Sequence, residues 1–93
     1  MTVRVFASRL AKAETDEVEA FLEEHSPSAA RRFVEAMARA YQLLSEHPDI
    51  GTMGDRPGTR RLVVGNYIVS YRRRGDNVEI FAVRDARRRD ARF

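Results

Sequence analysis

An α+β fold is the architecture this 93-residue sequence predicts, and three observations carry it. A short alternating stretch opens the chain, and two helical patterns come next with almost nothing between them. The second half is dense in β-branched and aromatic residues separated by glycine-bearing turns. The expected order is β-α-α-β-β-β, an N-terminal short strand and then an antiparallel helical hairpin packed on a small, mostly antiparallel sheet. At this length the chain makes one domain, residues 1–93, with an Arg-rich tail from 84 onward. So small a domain buries only roughly 60–65% of its unfolded surface, which leaves room for a partner to add stability.

Taken in order, Val3–Ala7 (VRVFA) reads as the first strand. Ser8 can cap a helix by accepting from one of its free N–H groups. Arg9 to about Glu24 is that helix, with Leu10, Ala11, Val18, Phe21 and Leu22 leaning to one side. Its outer face is acidic through Asp16, Glu17, Glu19, Glu23 and Glu24. Ser26-Pro27 restarts the chain with a capping hydroxyl and a proline in the first helical position. The second helix runs to about Glu46, its apolar set being Ala30, Phe33, Val34, Met37, Tyr41 and Leu44. A break of two or three residues makes the two helices fold back on each other. His47-Pro48 ends the second helix, because proline pushes its predecessor out of the α region. Asp49–Thr59, rich in Gly and Pro, is expected as a surface loop.

The remaining strands lie within RRLVVGNYIVSYRRRGDNVEIFAVR, Arg60–Arg84. Gly65-Asn66 suits a two-residue hairpin of type II′, and Arg74-Gly75-Asp76-Asn77 supplies the second reversal. The density of Val, Ile, Tyr and Phe between the turns predicts a sheet partly covered on both faces.

The composition, 43% hydrophobic and 33% charged, is that of a globular domain and argues against disorder. There is no cysteine, so disulfides and thiolate metal sites are excluded. No apolar run reads as a signal peptide or a membrane span, and the cytoplasm is the expected location. Charge is divided: residues 1–50 carry a net −3 and residues 51–93 a net +6. The last ten residues, RDARRRDARF, hold five Arg against two Asp. A basic C-terminal half attracts an acidic partner, polypeptide or phosphate. Sixteen of the seventeen basic residues are Arg, the side chain suited to bidentate contacts, although a codon bias toward GC accounts for such a ratio equally well.

Little of this chemistry is catalytic. His25 and His47 fall at helix C-termini, where an imidazolium meets the favourable end of the helix dipole. No carboxylate pair, metal-ligand spacing or phosphate-cradling glycine loop is present, and no cofactor is expected. Ser8, Ser26 and Ser28 are placed as caps. Tyr67 and Tyr71, four apart, share one strand face and read as core or partner-facing packing. Arg72, Arg73 and Arg74 precede a hairpin tip, where charge deters strand pairing. Arg84, Arg87, Arg88, Arg89 and Arg92 form the expected functional surface.

Order and residues together resemble the ParE/RelE superfamily of bacterial type II toxins, ParE in particular. The resemblance is carried by Ser26–Gly51, by Arg60–Arg84 and by the Arg-rich end. Leu44, Pro48 and Gly51 match the family's L-x-x-x-P-x-x-G helix exit, and Tyr67, Val69 and Tyr71 its Y-x-I/V-x-Y strand. The resemblance implies a toxin paired with a cognate ParD-like antitoxin in a hetero-oligomer. DNA gyrase would be its target, and indirect DNA binding through the antitoxin is expected. It also raises a ribonuclease branch, in which Arg60, Arg61 and Arg87 would act with a tyrosine on messenger RNA. Against that branch, Ile68 comes after Tyr67 where those ribonucleases place an Arg, and Phe93 stands where they end on Tyr or His. Arginine is itself a poor base. A degenerate, non-toxic antitoxin-binding module is the third possibility. Asp85 stands where ParE chains often carry His shortly before their Arg-Arg pair. The candidate residues for target or antitoxin binding are therefore Arg60, Arg61, Tyr67, Tyr71, Arg84, Arg87, Arg88 and Arg89.

Overall fold

A computed structural model of the protein describes residues 2–87. The elements run β1 (Arg4–Ala7), α1 (Arg9–His25), α2 (Pro27–Glu46), β2 (Thr52–Met53), β3 (Thr59–Val64), β4 (Tyr67–Arg74) and β5 (Asn77–Asp85). The five strands form one sheet in the order β1-β5-β4-β3-β2. All neighbours are antiparallel except β1, which pairs parallel with β5, Val5 opposite Val78 and Ala7 opposite Ile80. The helical hairpin supplies the long crossover that a parallel pair requires.

Both hairpins have two-residue loops, Val64 pairing with Tyr67 and Arg74 with Asn77. Gly65 and Gly75 sit at φ 61° and 63°, and no described non-glycine residue has positive φ. That leaves only the first loop position left-handed, as a type II′ turn requires.

Ser8 and Ser26 cap as their positions predict, accepting from Ala11 N–H at 3.1 Å and Ala29 N–H at 3.2 Å. The break between the helices is shorter than expected, Ser26 alone. Its own N–H closes α1 on the Leu22 carbonyl at 2.6 Å while its hydroxyl opens α2. One residue thus serves both helix ends, which its extended backbone (φ −163°, ψ 99°) makes possible.

The expected loop after α2 contains a strand. Thr52 and Met53 pair with Arg61 and Arg60, a two-residue edge too brief to announce itself in sequence. The apolar stripes are also narrower than their composition implied. Ala11 is buried in α1 and Phe33, Met37, Ala40 and Leu44 in α2, whereas Leu10, Phe21 and Val34 are exposed. These buried helix residues pack on Val64, Tyr67, Val69, Tyr71, Ile80 and Val83 of the sheet.

On the opposite face no helix covers the sheet among the described residues. Ser70 and Ala82 are nonetheless buried there. Long side chains provide the cover: Arg72 and Arg56 lie over the Phe81 ring, and Arg4 over Phe6. A bulge at Ser70/Tyr71 makes this possible. Ser70 pairs with Ala82 and Tyr71 with Ile80, so Phe81 is an extra residue turned toward the arginines.

Candidate functional site

The candidate residues separate into three environments. Tyr67 and Tyr71 are buried on the helix-facing side. Tyr67 meets Phe33 edge-on, with centroids 5.1 Å apart. Tyr71 is the largest fully buried side chain, and its hydroxyl accepts the Gly51 N–H at 2.8 Å. It thereby ties the segment after α2 to the middle of the sheet.

Burial pushes both phenols above the usual value of 10.0; Asp85 adds to the rise at Tyr67 and Arg87 opposes it. At Tyr71 the Gly51 N–H and Arg60 oppose the effect of burial, and Asp49 reinforces it. Tyr41 is raised by burial as well. Each folded-state value lies above the unfolded one, so the associated stability is complete below pH 10 and lost as pH rises through the folded values. Thermal midpoints should therefore fall above about pH 10, and Tyr71→Phe should flatten the fall. A midpoint independent of pH in that range would contradict it.

Arg60, Arg84 and Arg87 make up the second environment, and intramolecular carboxylates engage each of them. Arg60 donates to the Gly51 carbonyl at 2.8 Å and lies 3.8 Å from Asp49. Arg84 Nε is 2.7 Å from Glu14 Oε2. Arg87 is held by Asp85 in a two-pronged contact, Nε to Oδ1 at 2.9 Å and Nη2 to Oδ2 at 2.7 Å. The Arg87 backbone N–H joins the same Oδ1. Asp85 is therefore the clamp on Arg87.

Arg61 stands apart. It lies on the open face directly across from Ser70 and has no carboxylate partner among the described residues. Arg88 and Arg89 lie outside the described residues.

Sequence reasoning missed Glu14, whose Oε1 accepts the Val83 N–H at 2.9 Å while Oε2 holds Arg84. β1 pairs with β5 only as far as Ile80, so among the described residues the β5 edge beyond it lacks a strand partner and Glu14 takes its place. A signal was present: Ala11, Glu14, Val18 and Leu22 fall at helical spacing, which puts a carboxylate on the buried stripe. Arg56 and Phe81 gave no such signal, since their contact depends on a loop and a bulge. A cleft of about 640 Å³ opens beside Glu14, lined by Glu17, Val18, Phe21, Tyr67 and Asp85 among others.

Neither histidine joins these groups. His25 Nδ1 lies 2.8 Å from the Phe21 carbonyl, and His47 caps the end of α2. Among the described residues no cluster of His, Cys, Asp or Glu could hold a metal, and no helix is long and apolar enough to cross a membrane.

A helical hairpin on a five-stranded sheet whose other face is armoured with arginine defines a small α+β domain. The family model for the ParE toxin of the type II toxin–antitoxin system, parDE, matches residues 5–90. The chain belongs to the ParE toxin family. It is 40% identical over 73 residues to the Sinorhizobium fredii protein named "Putative toxin Y4kP", covering 76% of this chain and 75% of that one. The fold is also that of a solved structure titled "Chromosomal ParDE TA system from P. aeruginosa". There the TM-score is 0.76 at 18% identity, over 90% of this chain and 96% of the other.

Proposed function

We propose that this toxin arrests bacterial growth by binding DNA gyrase in the cytoplasm, without catalysing a reaction, and that a ParD-like antitoxin neutralises it in a hetero-oligomer. One observation supports binding over RNA cleavage. The tyrosines that RNA cleavage would enlist, Tyr67 and Tyr71, are core side chains on the helix-facing side of the sheet, away from the open arginine face, and burial raises their phenols above 10.0. Cleavage through a 2′-hydroxyl needs a base and an acid tuned near the working pH. A cationic surface whose tyrosines are held in the core is suited to holding an anion or an acidic protein.

Titrating the purified chain into a gyrase supercoiling reaction tests this directly. Lost supercoiling with accumulated cleaved DNA, reversed by the cognate antitoxin, is the expected result. Replacing Arg87, Arg88 and Arg89 with Ala should weaken toxicity or antitoxin affinity, and unchanged values for both would remove the tail from the binding surface. No inhibition at large excess of folded protein would overturn the gyrase reading and bring forward cleavage of ribosome-bound RNA.

A further inference from the structure

We infer that the cleft between α1 and the end of β5 receives this chain's own residues 88–93, RRDARF, with an arginine pairing to Glu17 and the Phe93 ring covering Phe21 and Val18. Glu14, Val18 and Phe21 recur at helical spacing, so one face of α1 forms a wall of the cleft, and Tyr67, Val83 and Asp85 of the sheet form the other. Phe21 is 57% exposed and Val18 half-buried, an apolar patch that the helical hairpin and sheet leave uncovered. The His25 ring lies on Phe21 with centroids 4.3 Å apart, which restrains the phenyl group before anything lands on it and lowers the entropy lost on docking. Charge in the cleft is uneven. Arg84 engages Glu14 and Arg87 engages Asp85, whereas Glu17 has no cation partner among the described residues.

Position, reach and charge select this occupant, which lies outside the described residues. The Ala86 N–H donates to the Asn66 carbonyl at 2.8 Å, and the Arg87 N–H donates to Asp85 Oδ1 at 2.9 Å. The second contact turns the chain directly after β5, and Asp85 itself lines the cleft, so residue 88 begins at its mouth. Six extended residues span about 20 Å, whereas Glu14 to Phe21 covers about 10 Å of helix. The whole cleft is within reach. Residues 88–93 carry three Arg against one Asp, a net +2; the charged lining residues, Glu14, Glu17 and Asp85 against Arg84, sum to −2. So short a tether gives the segment a local concentration on the order of millimolar. Contacts too weak to hold a separate peptide are then enough, and Phe93 on Phe21 adds aromatic pairing to apolar burial.

The docked tail stands independently of the gyrase reading, and it bears on any partner that grips Arg88 and Arg89. Such a partner must lift the tail off α1, so its apparent affinity is reduced by the undocked fraction. The chain has no tryptophan, so Phe93→Trp places a single fluorophore at the contact. In the full chain its emission should shift to shorter wavelength. Acrylamide should quench it at least about threefold less readily than in F93W/E17Q/F21A, as expected when most chains are docked. F93W/E19Q/L10A removes the same charge and an equally exposed apolar side chain elsewhere on α1, and should quench as F93W does. Quenching should not change on dilution, because the contact lies within one chain. Circular dichroism establishes that each variant is folded.

A tryptophan in F93W as accessible as one in a free peptide overturns the inference, and so does protection that E17Q/F21A leaves unchanged. Protection lost on dilution also overturns it, since the tail would then occupy a second copy. A protected tryptophan released by E17Q/F21A, without gyrase inhibition, would sink the gyrase reading and leave the docked tail standing. Gyrase inhibition by a chain whose tryptophan is fully accessible would do the reverse.

Discussion

Tyr71→Ala should lower the thermal midpoint by on the order of 15–30 °C, because removing a buried aromatic side chain costs about 3–5 kcal/mol in a domain of this size. Tyr71 is 1% exposed and touches both the core and the segment after α2. The truncation leaves a cavity between sheet and helices and strands the buried Gly51 N–H. Tyr71→Phe separates the two effects: it keeps the ring and removes only the acceptor, at a cost of about 1–3 kcal/mol for an unsatisfied buried donor.

Gly51 makes the contact possible, since a Cβ there would stand 2.7 Å from both the Arg61 carbonyl and the Tyr71 hydroxyl. Gly51→Ala should therefore destabilise by pushing the two apart. Chemical denaturation of the three variants measures each loss. A Tyr71→Phe variant as stable as wild type would mean that the hydroxyl holds nothing.

Glu14→Ala should cost somewhat less, about 2–3 kcal/mol. It removes the acceptor for the Val83 N–H and leaves Arg84 without the carboxylate 2.7 Å away. Breaking a fully buried pair costs about 3–5 kcal/mol; here the Arg and Glu side chains are 26% and 15% exposed, so water screens part of the loss. Glu14→Gln keeps an amide oxygen for Val83 while discarding the charge, and should cost about half as much. A double-mutant cycle with Arg84→Ala isolates the ion pair. Additive losses would show that Glu14 acts through the strand edge alone.

The two glutamate functions explain why Arg84 reads as structural once the fold is known, though in the sequence it belongs with the tail arginines. Arg87 differs: Asp85, its nearest neighbour in the chain with opposite charge, pairs with it at 2.7 Å, but the side chain is 68% exposed and stays on the surface.

Local signals were legible wherever one residue decides its own surroundings. Ser26-Pro27 set a helix start, His47-Pro48 a helix end, and Gly65 and Gly75 the two reversals, because capping, proline sterics and positive φ act within a few bonds. From these came the element order and the α+β class, and so did both tyrosines on one strand face. The width of each helical stripe was not legible. Leu10, Phe21 and Val34 have the composition of core residues, yet a two-helix layer over a narrow sheet offers them nothing to bury against.

The partners of the arginines were still further from reach. Arg56 in the loop before β3 meets Phe81 in β5, and Glu14 meets Val83 across 69 positions of sequence. Period and propensity describe a residue's neighbours along the chain, whereas charge pairing and stacking depend on distance in space. The order of residues was enough to make the C-terminal half a basic sheet. Which arginines are spent within the fold, and which still face outward with their charge uncompensated, was settled only when the packed chain brought Glu14, Asp49 and Phe81 within reach of them.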